Sequence, residues 1–106
     1  MYKKKSHSLI ILIPSYNELE NLKKFLLKLK KKFQILVIDD NSSDKTHNWL
    51  KFNKINFIRN TNNLGYEKSL IKGIKIILKK NKYNSILTMD ADGQHDPADI
   101  FAMYEL

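Results

Sequence analysis

The sequence predicts an α/β fold: a mostly parallel sheet with helices on both faces, in the order β-α-β-α-β-α-β-α. Three observations predict it. Short unbroken runs of β-branched and other apolar residues recur along the chain, as strands buried on both faces do. Between them lie segments whose apolar residues fall at helical spacing. Turn formers such as Pro, Gly, Asn, Asp and Ser separate the two kinds of segment. Alternation of this kind implies parallel strands joined by right-handed crossovers. The expected strand order is third, second, first, fourth.

Leu9 to Ile13 reads as the first strand, stopped by Pro14. Glu18 to Lys32 reads as a helix, because Leu22, Phe25, Leu26, Leu29 and Phe33 share one face. Lysines crowd the rest of that helix, several in the last turns where cations suit the helix dipole. Ile35 to Ile38 is a second buried strand and runs into Asp39-Asp40. Asn41, Ser42, Ser43 and Asp44 form a turn supplying an N-cap for a short helix from about Lys45 to Phe52. Ile55 to Ile58 is a third strand, nearer an edge. Asn60 to Gly65 is a loop, and Tyr66 to Lys80 a helix with Leu70, Ile71, Ile74, Ile77 and Leu78 on its apolar face. Ser85 to Met89 is a fourth strand leading into Asp90-Ala91-Asp92-Gly93. Pro97 opens a last helix, with Asp96 as its N-cap, that continues to Leu106. Gly65 and Gly73 read as a turn and a close helix–sheet contact. Trp49 reads as a core residue or a partly buried cap on the short helix.

The 106 residues form one small domain. Cysteine is absent, which excludes a disulfide framework and a thiolate metal site and fits a reducing compartment. The longest apolar run, Leu9 to Ile13, is far short of the ~20 residues that span a bilayer. The basic start, Met1 to Lys5, is not followed by a signal-peptide core. These features predict a cytoplasmic protein. The net charge of +8 is compatible with nucleic acid or an anionic membrane surface. However, no interleaved basic–aromatic stripe supports nucleic-acid binding, and none is expected.

The acidic residues are more informative. All seven Asp lie in two windows, Asp39 to Asp44 and Asp90 to Asp99. Turn and cap preferences account for Asp44 and Asp96, but Asp39, Asp40, Asp90 and Asp92 stand at the ends of apolar strands. In an open parallel sheet, ligands bind beyond the carboxyl ends of the strands, where the strand order reverses. The two windows therefore meet at one edge.

Several chemistries are excluded. The turn after the first strand has no G-x-G-x-x-G, the chain has no G-x-x-x-x-G-K-[ST], and no Ser occupies a nucleophile-elbow setting. Asp90 and Asp92 stand two apart on extended backbone, so both carboxylates project to one side. Carboxylate oxygens suit Mg²⁺ or Mn²⁺, which also take substrate phosphates. Gln94 can add an oxygen, and the small Ala91 lets a ribose or sugar approach the backbone. His95 reads as a turn residue. By itself the pair is a common pattern, equally suited to capping and turning.

Four segments in order resemble glycosyltransferase family 2, the inverting enzymes of the Rossmann-like GT-A fold. They are Ile11-Leu12-Ile13-Pro14-Ser15-Tyr16-Asn17-Glu18, Ile35 through Thr46 with Asp39-Asp40-Asn41-Ser42-Ser43-Asp44, Asn63-Leu64-Gly65 through Gly73, and Met89-Asp90-Ala91-Asp92-Gly93-Gln94-His95-Asp96-Pro97. The run from Asp90 to His95 is similar to the polyprenyl-phosphate mannosyl- and glucosyltransferase branch. The resemblance implies that Pro14, Tyr16 and Glu18 line a nucleotide pocket. It implies that Asp40 accepts from the base edge, with Ile38 near the ribose or base. It implies that Asp90, Ala91 and Asp92 meet the donor, with Asp90, Asp92 and Gln94 as ligands of Mg²⁺ or Mn²⁺. The implied ligand is a UDP- or GDP-linked sugar. The implied reaction is transfer to an acceptor, possible acceptors including a polyprenyl phosphate at the inner face of a membrane. The Lys-rich helix face from Glu18 to Lys32 would suit such a surface.

The residues also carry simpler readings: Tyr16 as a packing staple and Glu18 as a first-turn acid. Family members continue past the D-x-D segment with an acceptor half and a catalytic base, so the chain is expected to be the donor half, truncated at its C-terminus, with its catalytic residues beyond Leu106. A non-catalytic binding module that keeps the fold is the alternative, and a basic nucleic-acid-binding domain is a third reading.

Overall fold

The computed structural model describes residues 8–91 and 102–105. The elements are β1 (Leu9–Ser15), α1 (Leu19–Lys32), β2 (Gln34–Asp39), α2 (Thr46–Phe52), β3 (Phe57–Arg59), α3 (Tyr66–Lys80), β4 (Ser85–Thr88) and β5 (Ala102–Glu105). They build one sheet in the order β3-β2-β1-β4-β5. β1 pairs in parallel with β2 and with β4, and β2 in parallel with β3, giving the expected order for the first four strands.

Strand alternation divides the core in two. Ile11, Ile13, Ile35, Val37, Leu87 and Met89 face α1 and α2, where they meet Leu22, Leu26 and Leu50. Ile10, Leu12, Leu36, Ile38 and Ile86 face α3, where they meet Ile77, with Leu70 and Ile74 packed alongside. Each central strand is apolar on both faces because helices cover both, which is why these strands read as unbroken hydrophobic runs. Trp49 packs partly buried on the first cluster.

Gly73 sets the spacing of α3 from the sheet: a Cβ there would overlap the side chain of Leu12. The close approach narrows the line of contact. Ser69, Gly73 and Ile77 are buried along it, while Ile71 and Leu78 stand 44% and 50% exposed. The apolar face expected for this helix is thus wider than the face it buries. Phe33, at 40% exposed, likewise sits past the end of α1 rather than beneath it.

The last element differs from expectation. Residues 102–105 form a strand, not a helix, and pair antiparallel with β4 from Ser85↔Glu105 to Thr88↔Ala102. The open edge of β4 offers unpaired backbone donors and acceptors, and pairing satisfies them. A short apolar run does not distinguish strand from helix by periodicity. Asp96 and Pro97, the expected start of that helix, lie outside the described residues.

Candidate functional site

Two loops at the carboxyl edge of the sheet are cross-linked. Between Tyr16 and Glu18, Asn17 adopts a left-handed backbone, φ 52°, a region Asn tolerates better than most residues. Its Oδ1 accepts from the Ser43 N–H at 2.7 Å and the Asp44 N–H at 3.1 Å, and its own N–H donates to Ser42 Oγ at 2.9 Å. Asp44 ties two helix starts together, accepting from the Leu19 N–H at 3.3 Å and the Thr46 N–H at 2.9 Å, as well as from the Thr46 hydroxyl. It thus acts as the N-cap acceptor expected in this turn, although Lys45 occupies the cap position itself.

The adjacent carboxylates at the end of β2 point to opposite faces, as successive strand residues do. Asp39 is fully buried; its Oδ1 accepts from the Ser42 N–H at 3.1 Å, and Arg59 Nε stands 3.8 Å from Oδ2. Asp40 is also buried and turns toward the loop before α3. Its Oδ1 accepts from Leu64 N–H at 2.7 Å and Asn60 Nδ2 at 2.9 Å, and its Oδ2 from Gly65 N–H at 2.9 Å. Burial disfavours the Asp40 charge, but the donors Leu64, Asn60, Gly65 and Ser69 together prevail and hold its pKa below the usual carboxylate value. Asn60 is 2% exposed and fully engaged: its amide nitrogen also donates to Ser69 Oγ at 3.0 Å, and its Oδ1 accepts from Lys72 Nζ at 2.7 Å.

Beyond these loops, Pro14, Tyr16, Glu18, Tyr66, Asp90 and Ala91 line a cleft of about 470 Å³. It lies where the chain leaves β1 and β4, beside the start of α3. Five expected site residues, Pro14, Tyr16, Glu18, Asp90 and Ala91, are therefore brought together. Two are not. Ile38 points into the core beneath α3 and is fully buried. Asp40 is turned away from the cleft walls, and its four donors match the roughly four accepting positions of a carboxylate. Asp92 and Gln94 lie outside the described residues.

Among the described residues, no group of three or more His, Cys, Asp or Glu could hold a metal ion by itself. Asp90 presents a carboxylate to the cleft. Mg²⁺ commonly takes one or two carboxylates and completes its shell with water and substrate phosphates. Among the described residues the Asp90 carboxylate is a ligand of the kind Mg²⁺ takes.

Three residues of the site are not evident from sequence reasoning. Tyr66 reads there only as the first residue of a helix, yet its phenol donates to Asp90 Oδ1 at 2.8 Å. Asn17 and Asn60 read as ordinary turn formers. The partners of Asn17 stand 25 to 27 residues away and those of the Asn60 side chain stand 9 to 20 residues away, and no local pattern signals these contacts.

The model of the family "Glycosyl transferase family 2" matches residues 10–106. An uncharacterised protein of Methanocaldococcus jannaschii is 41% identical over 99 residues, covering 87% of this chain and 43% of that protein. A dolichol-phosphate mannosyltransferase of Pyrococcus furiosus is 32% identical over 98 residues, covering 82% of this chain and 26% of that protein. The chain thus spans less than half the length of these relatives. The structure of glucosyl-3-phosphoglycerate synthase from Mycobacterium tuberculosis, in complex with Mn²⁺, UDP and glucosyl-3-phosphoglycerate, superimposes with a TM-score of 0.65 at 13% identity. The match covers 81% of this chain and 34% of that one, and it shows a shared fold. On the match to the family model, which runs through nearly the whole described sheet, this chain belongs to glycosyl transferase family 2.

Proposed function

We propose that this chain is the donor-binding half of a glycosyltransferase and holds a nucleoside-diphosphate sugar in the cleft between the ends of β1 and β4. One observation carries the reading: Pro14, Tyr16, Glu18, Asp90 and Ala91 gather around one cavity at the point where the strand order reverses. Such a point is where open α/β sheets bind ligands. Pro14, Tyr16 and Ala91 offer apolar surface to the nucleoside, and Glu18 offers an acceptor to its hydroxyls. Asp40 serves by holding the loop from Asn60 to Gly65 in place.

The donor diphosphate is anionic and meets Asp90, so a cation between them strengthens binding on electrostatic grounds. Mg²⁺ or Mn²⁺ suits the carboxylate of Asp90, with Asp92 and Gln94 as its further ligands. When bound, such an ion supplies charge neutralisation for the leaving diphosphate. The Mn²⁺ and UDP in the structurally similar synthase support this assignment. The mannosyltransferase relative supports a lipid-linked phosphate as acceptor. Lys23, Lys24, Lys28 and Lys31 are exposed along α1 and suit an anionic surface. No helix among the described residues is long and apolar enough to cross a membrane.

Thermal melting with UDP-glucose or GDP-mannose, with and without Mn²⁺, tests the reading. A ligand at 100 times its Kd stabilises by about 2.7 kcal/mol. The expected result is a rise in melting temperature with one of the two, larger with Mn²⁺. No rise with either at millimolar concentration would refute it.

A further inference from the structure

The proposed donor site contains a residue with no assigned role. Tyr66 opens α3 and is 54% exposed in the wall of the cleft, in company with Tyr16 and Glu18. Its phenol O–H donates to Asp90 Oδ1 at 2.8 Å. The residue before it, Gly65, has φ 93° and is held by its N–H on Asp40 Oδ2. The loop is further fastened by Leu64 N–H on Asp40 Oδ1, and by Asn60, which joins Asp40 to Ser69 and Lys72. The start of α3 is thus tied to the end of β2, and through Tyr66 it reaches the segment that follows β4.

Resting on the function proposed above, we infer that Tyr66 is a positioning residue of the donor site: its phenol fixes the Asp90 carboxylate in the cleft, and the Asp40 clamp on Leu64 and Gly65 sets where that phenol stands. A carboxylate on a loop samples rotations that a ligand must freeze out. Engaging one oxygen with a donor orients the other and removes part of that cost. Among the described residues no other group bonds Asp90. Burial of Asp40 strengthens the clamp: its charge is sheltered and met by donors on two backbone N–H groups.

The test uses Tyr66→Phe, which removes one oxygen and keeps the ring, with Asp90→Asn as reference. In ¹³C-labelled protein without ligand, the Asp90 carboxyl resonance is the one lost in Asp90→Asn. It should move in Tyr66→Phe. Binding of UDP-glucose or GDP-mannose should weaken by about tenfold in Mn²⁺, the lower end of what loss of such an orienting group costs. The loss in EDTA should be smaller than the loss in Mn²⁺. An unmoved Asp90 resonance would overturn the inference, as would equal losses in Mn²⁺ and EDTA. If the wild type binds neither nucleotide sugar, the proposed function fails, and the resonance still decides whether Tyr66 orients Asp90.

Discussion

Asn17 and Ser43 are 26 residues apart in sequence, yet the Oδ1 of the first accepts from the backbone N–H of the second at 2.7 Å. This bond joins the turn after β1 to the turn after β2. It also sets the direction of the chain between Tyr16 and Glu18, which both face the cleft.

Replacing Asn17 separates two contributions. Asn17→Gly keeps the left-handed backbone and loses the acceptor; Asn17→Ala loses both. Chemical denaturation should show a loss of about 1–2 kcal/mol for the glycine variant. The alanine variant should lose roughly 1 kcal/mol more, the cost of a positive φ in a residue with a Cβ. Equal losses would remove the backbone contribution.

Asp40→Asn removes the charge that four donors face. The amide presents an N–H₂ where an N–H already points, and a stability loss of about 2–3 kcal/mol is expected. The pH dependence has a definite sign. Because the folded pKa of Asp40 lies below its unfolded value, its contribution is fully present above the unfolded pKa and fades as pH falls below about 4, through the folded pKa. Urea titrations between pH 6 and pH 3 should show a steeper acid loss in wild type than in Asp40→Asn.

Gly65 and Gly73 differ in what an added methyl meets. Around Gly65 no atom lies within 4 Å of a built Cβ, so Gly65→Ala costs only backbone strain at φ 93°, about 1–3 kcal/mol. At Gly73 the backbone is ordinary helix, and the methyl meets Leu12, which is fully buried. Overpacking there should cost about 1–3 kcal/mol. The two are told apart by a second change: Leu12→Ala in the same chain should recover part of the Gly73→Ala loss and none of the Gly65→Ala loss, as read by a double-mutant cycle.

Leu22 and Leu26 are fully buried between α1 and the sheet, on the face away from α3. Leu26→Ala should cost about 2–5 kcal/mol. If the cleft is organised by the loops alone, any nucleotide sugar that binds the wild type should bind the folded variant with unchanged affinity at low temperature. A matching loss of affinity would place the site under control of this core.

Much of the fold was legible because its signals are local. The runs Leu9 to Ile13 and Ile35 to Ile38 are apolar throughout, and only strands covered on both faces need to be. Helical spacing in Glu18 to Lys32 and Tyr66 to Lys80 foretold α1 and α3 within a residue at either end. The segment 102–105 was misread because a short apolar run serves a strand as well as a helix, and the choice falls to the unpaired edge of β4.

By itself, the sequence determined the strand order and pointed to five residues that line one cleft at the carboxyl edge of the sheet, because strand ends and turn residues are set by backbone preferences acting over a few positions. Only the tertiary structure decided what Asp40 and Tyr66 do. Asp40 stands at a strand end like Asp90, but it is covered by the loop from Asn60 to Gly65 and bonds four donors, while Asp90 remains in the cleft with the phenol of Tyr66 on one oxygen. Burial and hydrogen bonding between segments 20 or more residues apart separate the two carboxylates, and a pattern of neighbouring residues carries no record of either.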